Sequence, residues 1–245
     1  RQKRHREEGE EEEEEDIELS IDETALSASE DCGFCAQQWP ALLPVLVLRD
    51  DCVALHATHP EQNFLLGWRA AQKLLRAKQR PALLGYIAEV LEFYLDETER
   101  AGQPLQRGRC GAEFWVQRRG AGEGIPFHWD KDEALREAGD VLIHPAVSTV
   151  TYLTDGGAPT LLLDVRASVA DGLLTSGADL VVGRHRKTVE PEGAARRGAA
   201  LISYPRAGKL LAFSGSLLHG VPAALAEASA SCERVTLLIN VWVHH

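Results

Sequence analysis

The spacing of apolar residues changes once along this 245-residue chain, near Gly111, and that switch limits the possible folds more than any other feature. Before it, apolar side chains recur at the three-to-four-residue spacing that lines one face of a helix. Phe64, Leu65, Trp68, Ala71, Leu74 and Leu75 predict a helix over Glu61–Lys78. Pro81 interrupts the pattern, and Leu84, Ile87, Val90, Leu91, Tyr94 and Leu95 predict a second helix that Gly102 ends. Upstream, Trp39 to Leu48 is a Pro-bounded apolar run compatible with a strand or a packed lead-in. Beyond Gly111 the period becomes two, that of strands with one buried face. Predicted strands are Glu113–Arg118, Val147–Thr154, Thr160–Val165, Leu180–Val182, Lys209–Ser214 and Arg234–Val243. The turn chemistry of Asp155-Gly156-Gly157-Ala158-Pro159 predicts a hairpin between two of them. Helices followed by a run of short strands predict an α+β fold, with helices packed on a sheet sandwich or barrel that carries the chemistry.

Charge divides the chain at a second boundary. Residues 1–31 hold 14 acidic and 4 basic side chains, a net −10, so the other 23 acidic and 22 basic residues contribute only −1 of the total −11. A glutamate run of this density repels itself and buries nothing, which predicts a disordered acidic tail over 1–31 and a single domain over 32–245. In that domain the helical lead-in occupies about 61–102 and the β core about 111–243. No apolar run approaches the ~20 residues needed to span a bilayer. No secretory signal is visible either, so the expectation is an intracellular protein, cytoplasmic or nuclear, without a membrane partner. Five cysteines, an odd number, argue against a disulfide framework, and Cys32-Gly33-Phe34-Cys35 lacks the second pair that zinc would need. Arg184-His185-Arg186-Lys187 is basic, but the body is near neutral and no aromatics interleave it. That favours a solvated loop over a nucleic-acid contact.

Of nine histidines, His128 stands out because Phe127-His128-Trp129-Asp130 places a carboxylate two residues on. In extended backbone, residues i and i+2 point to the same side, so an imidazole and a carboxylate can hold one ion. His219 follows a strand-like run and precedes Gly220-Val221-Pro222, where a strand meets a turn. Two His and one carboxylate on one face of an octahedral ion leave three positions open, an arrangement that suits non-haem Fe(II). The same His-x-Asp pair also occurs in zinc hydrolysis sites, so alone it discriminates little. Arg234 adds the discriminating feature. It opens the apolar run Arg234-Val235-Thr236-Leu237-Leu238-Ile239-Asn240-Val241-Trp242, where a guanidinium requires a carboxylate partner. Its planar fork matches a carboxylate, and Thr236 on the same strand face offers a hydroxyl.

Taken in order, five segments resemble the double-stranded β-helix (jelly roll) of the 2-oxoglutarate/Fe(II)-dependent oxygenases, nearest the prolyl-4-hydroxylase-like branch. They are Phe127–Asp130, Ser148–Thr154 leading to Gly156-Gly157, Tyr204–Phe213, Leu218–Pro222 and Arg234–Thr236. The resemblance implies that His128, Asp130 and His219 ligate iron, and that Arg234 pairs with the distal carboxylate of 2-oxoglutarate. It also implies that Thr236 and Tyr152 bond the same carboxylate, with ascorbate as an optional auxiliary. Prolyl hydroxylases place a Tyr-rich segment before the His-x-Asp pair, whereas Gln117 to Pro126 here holds no tyrosine. Trp115 and Gln117, alternating on the preceding strand, are candidates for the substrate side, and the substrate is a protein or a small molecule. Two other readings compete: a cupin-like metalloenzyme without 2-oxoglutarate, which would not need Arg234 or Thr236, and a non-catalytic β-helix binding protein.

Overall fold

Strand β11 (Arg234–Trp242) is buried along its whole length and organises the molecule. It lies between β3 (Gly111–Arg119) and β5 (Val147–Tyr152), antiparallel to both. The computed structural model describes residues 34–38, 45–60, 62–120, 122–133, 135, 137, 143–167, 174–176, 200–226 and 233–243. The predicted acidic tail over 1–31 and the predicted strand Leu180–Val182 lie outside these residues.

Adding β1 (Phe34–Gln38), β2 (Phe64–Gly67) and β9 (Lys209–Phe213) completes a six-stranded antiparallel sheet of order β1-β9-β5-β11-β3-β2. A second antiparallel sheet contains β4 (Ile125–His128), β10 (Leu217–Val221), β6 (Thr160–Ala167) and β7 (Leu174–Ser176) in that order. Strand β8 (Ala200–Ser203) also pairs with β6. From β3 to β6 the chain changes sheet at each successive strand, and it does so again from β9 through β11. This corrects the predicted hairpin, because β5 and β6 lie in different sheets. The turn after β5 therefore carries the chain from one sheet to the other. Gly157 within it has φ +95°, and a Cβ there would lie 2.4 Å from the Cβ of Arg234. Only glycine allows both that backbone and that approach.

The two faces of the six-stranded sheet are covered differently. Val235, Leu237, Ile239 and Val241 share a core with Phe114, Val116 and Leu210 and with the helices α1 (Val45–Thr58), α2 (Trp68–Arg76) and α3 (Ala82–Arg100). The alternate residues, including Leu238, Val150, Tyr152, Leu211 and Phe213, form a separate cluster with Leu162 and Leu217 of the second sheet. The period-two pattern after Gly111 thus reports one face under helices and one face against the other sheet.

The predicted second helix agrees with α3, but the predicted helix over Glu61–Lys78 is half wrong. Phe64–Gly67 is strand β2, and the helix opens only at Trp68. Phe64 stacks on Phe114 across the β2–β3 pair at 5.4 Å, and Leu66 is buried, so cross-strand packing overrides the helical spacing. The run from Trp39 is also helical from Val45 onward, where Leu48 and Cys52, one turn apart, are buried. Cys52 and Cys110 are free, buried thiols. No helix among the described residues is long and apolar enough to cross a membrane.

Candidate metal centre

Antiparallel pairing of β4 with β10 sets His128 directly opposite His219, with ring centroids 4.4 Å apart. His219 therefore lies within a strand rather than at its junction with a turn, which corrects the sequence expectation. Asp130 follows the end of β4 and turns its carboxylate toward both rings. His219 Nε2 is 3.7 Å from Asp130 Oδ2, and His128 Nε2 is 3.9 Å from Oδ1. The three donor atoms lie within 4.8 Å of one another, an arrangement that could hold a metal ion.

The surroundings prepare each donor for that task. His128 Nδ1 faces the Pro126 carbonyl at 2.8 Å and His219 Nδ1 faces the Leu217 carbonyl at 3.0 Å. In neutral imidazoles these contacts place the proton on Nδ1 and leave the Nε2 lone pairs toward Asp130. Burial pushes the pKa of His219 down; the Asp130 carboxylate opposes that shift and His128 reinforces it. The net direction favours the neutral ring, which is the form that binds metal. Ser148 donates to Asp130 Oδ2 at 2.6 Å, fixing the carboxylate plane. His144 Nδ1 reaches the Asp130 backbone carbonyl at 2.5 Å and secures the turn after β4. Phe213 packs edge-on to His219 at 4.8 Å. The side chains of His219 and Asp130 are 6% and 10% exposed, against 39% for His128, so the centre opens to solvent past His128. A set of two imidazole nitrogens and one carboxylate oxygen, with one open side, fits Fe(II).

Arg234 is 2% exposed and projects from the inner face of β11. Its Nη2 donates to Thr160 Oγ1 at 3.0 Å and its Nη1 to Thr236 Oγ1 at 3.3 Å, while Nε has no partner among the described residues. No carboxylate among the described residues pairs with it. Tyr152, fully buried, sits beside it with its ring 5.5 Å from the guanidinium carbon. The Tyr152 hydroxyl lies 2.8 Å from Thr160 Oγ1 and 3.0 Å from the Ser203 carbonyl. Burial lowers the Arg234 pKa; Tyr152 opposes this, and Arg119, its register partner on β3, adds to it. The three residues expected around one carboxylate therefore occupy one polar pocket. Thr160, Ser148 and His144 were missed, since an isolated Thr, Ser or His carries no signal until the sheets bring it to the site.

Family models of protein sequences give no match to this chain, and neither does any curated protein. Among solved structures it is similar to a Pseudomonas putida prolyl-4-hydroxylase, with 19% identity, 88% of this chain and 87% of that one covered, and a TM-score of 0.47. It is also similar to EctD from S. alaskensis with 2-oxoglutarate and 5-hydroxyectoine, at 12% identity, 93% and 80% coverage and a TM-score of 0.48. A third likeness is to an oxidoreductase of the 2OG-Fe(II) oxygenase family from Burkholderia pseudomallei, at 16% identity, 88% coverage of both chains and a TM-score of 0.40. Fold and site together define an antiparallel two-sheet protein with a His–Asp–His metal-binding set beside a buried arginine pocket. The functional reading rests on these side chains.

Proposed function

We propose that this chain is an Fe(II)- and 2-oxoglutarate-dependent oxygenase that hydroxylates a C–H bond of its substrate, with release of succinate and carbon dioxide. In this reading residues 32–245 are one catalytic domain, the two sheets are the halves of a double-stranded β-helix, and 1–31 is an acidic appendage. The observation that carries the proposal is Arg234, a buried guanidinium with no carboxylate partner among the described residues. An unpaired buried charge costs several kcal/mol, so a site that retains one is built for an anionic ligand.

The strand register is compatible with one short anion that reaches both the pocket and the metal centre. Arg234 bonds Thr160, and Thr160 lies two residues along β6 from Leu162, the register partner of His219. A two-residue strand step is about 7 Å. A five-carbon dicarboxylate, with four C–C bonds of about 1.5 Å in zigzag, spans about 5 Å between its end carbons, a length of the same order as that step. One end would meet the ion held by His128, Asp130 and His219 while the other meets Arg234.

The chain's own groups then have defined tasks. The Arg234 fork grips the distal carboxylate, and Thr236 flanks it. Thr160 Oγ1 is an acceptor for Arg234 and lies beside the Tyr152 hydroxyl, so its own hydrogen is free to donate to the ligand. Leu162, Leu211, Phe213 and Leu238 exclude water between the sheets, which strengthens each of these contacts. Iron, when bound, supplies the activation of dioxygen. The test is anaerobic titration of the Fe(II) protein with 2-oxoglutarate, following the metal-to-ligand charge-transfer band. A saturable band is expected. Its absence would overturn the keto-acid reading and favour a cupin-like metalloenzyme.

A further inference from the structure

Strand β2 covers only the first part of β3: Phe64 pairs with Phe114, and among the described residues no strand continues along that edge. From Trp115 to Arg119 the opposite edge of β3 is paired with β11. The outer edge borders a cavity of about 350 Å³, walled on its far side by His56, Pro60 and Asn63. All five residues from Trp115 to Arg119 line it. Consecutive residues of a strand point to opposite faces, so a cavity touching all five runs along the backbone edge rather than over one face. A groove bounded by an open strand edge offers backbone N–H and C=O groups in register, about 17 Å of them. Such an edge is a template for another extended chain.

The charges in the groove select among extended chains. Arg118 is occupied, gripping Glu233 through two bonds of 2.7 and 3.0 Å. Arg119 has no such partner among the described residues: its Nη1 reaches only the Arg118 carbonyl, at 3.5 Å, and its Nε has no partner. Among the described residues no carboxylate lines the cavity. Arg119 also lies directly opposite Arg234 in the β3–β11 register. Like charges at opposed positions are unfavourable unless counter-ions offset them. Neither arginine has a carboxylate partner among the described residues, so Arg119 calls for an anion of its own.

We propose that the open edge of β3 docks an extended, acidic segment of a second polypeptide, which adds as a further strand with a carboxylate side chain on Arg119. That the docked segment belongs to the protein being oxidised rests on the function proposed above; the docking itself does not. Trp115 lines the groove and also packs against the cluster between the sheets, so a docked segment would run beside the metal-facing interior.

The test uses the full chain without added metal or 2-oxoglutarate, and fluorescence anisotropy of a labelled peptide alternating glutamate with valine. Saturable binding is expected, with hydrogen exchange slowed at 115–119. In an added strand only alternate N–H groups face the edge. N-methylation of one alternate set of peptide nitrogens should therefore weaken binding about tenfold, and methylation of the other set should leave it within about twofold. Arg119→Glu should weaken the glutamate peptide about tenfold and favour a lysine–valine peptide instead. No saturable binding, equal effects of the two methylation sets, or no protection at 115–119 would each overturn the proposal. Deleting residues 1–30 should leave the affinity unchanged. A tenfold tightening would mean that the chain's own acidic tail occupies the groove, and would overturn the assignment to a second protein. Failure here with a normal charge-transfer band would leave the oxygenase reading standing, and the reverse result would leave the docking standing.

Discussion

The outer and inner faces of the six-stranded sheet are made by the same strands, yet they differ in kind. On β11 the outward residues Val235, Leu237, Ile239 and Val241 are apolar and share one core with α1 and α3. Of the inward residues, Arg234, Thr236 and Asn240 are polar and equally buried, beside the apolar Leu238. Among the described residues, Arg234 Nε and Asn240 Oδ1 have no hydrogen-bond partner, and Gln117 Oε1 and Arg119 Nε on the neighbouring strand share that condition. Unsatisfied buried polar atoms weaken a fold. Their concentration on one face, backed by a satisfied apolar face, shows how stability and chemistry are separated within one sheet. The helix side supplies burial energy, and the inner side holds groups that a ligand can complete.

This contrast yields substitutions that should divide cleanly between the two faces. The largest effect belongs to Asp130→Ala, which removes the only carboxylate from the metal-binding set. Fe(II) binding and turnover are expected to disappear while the melting temperature holds, and calorimetric iron titration checks both. Retained iron affinity would remove Asp130 from the ligand set.

Arg234→Leu comes next. Desolvating the ligand's carboxylate with no counter-charge should cost about 2–5 kcal/mol of 2-oxoglutarate affinity. Arg234→Lys should weaken it less, because a charge remains without the fork. Thermal stability should stay level or rise in the leucine variant, since an unpaired buried charge is gone. A large loss of stability with unchanged keto-acid affinity would place Arg234 on the structural side of the comparison.

Leu237→Ala tests the opposite face. Its side chain is fully buried under the helices, so truncation should cost about 3 kcal/mol in denaturant unfolding. Affinity for 2-oxoglutarate in the folded fraction should not change. If affinity falls instead, the faces are coupled and the division proposed here is wrong.

The smallest effect is expected from Tyr86→Phe, at the contact between α3 and the sheet. The Tyr86 hydroxyl lies 3.0 Å from Thr151 Oγ1, and losing that buried bond should cost about 1 kcal/mol. Burial raises the Tyr86 pKa to about 12, against an ordinary 10.0. The folded state thus keeps its proton where the unfolded chain releases it, so the tyrosine's contribution to stability falls as pH rises from 10 to 12. The phenylalanine variant should lack that part of the decline, and urea unfolding at several pH values would reveal an unchanged slope if this is incorrect.

Sequence alone determined the period switch at Gly111, the long helix α3, the strands β3, β5, β6, β9 and β11, and the chemistry of the His-x-Asp pair and Arg234. Each depends on local spacing or on a residue type that is costly to bury, and both can be read without knowing the neighbours. What only the tertiary structure decided is partnership. Phe64–Gly67 became a strand because Phe114 stacks on it, and the Asp155–Pro159 turn crosses between sheets because β6 finds its partners in β10 and β8. His219 faces His128 only because β10 pairs with β4, and Thr160 meets Arg234 only because the two sheets close over the same space. Among the described residues, β2 stops at Phe64, and its pairing alone decides how much of that β3 edge has a partner strand. Strand pairing over long sequence separations is set by the packing of whole faces, and no local pattern specifies it.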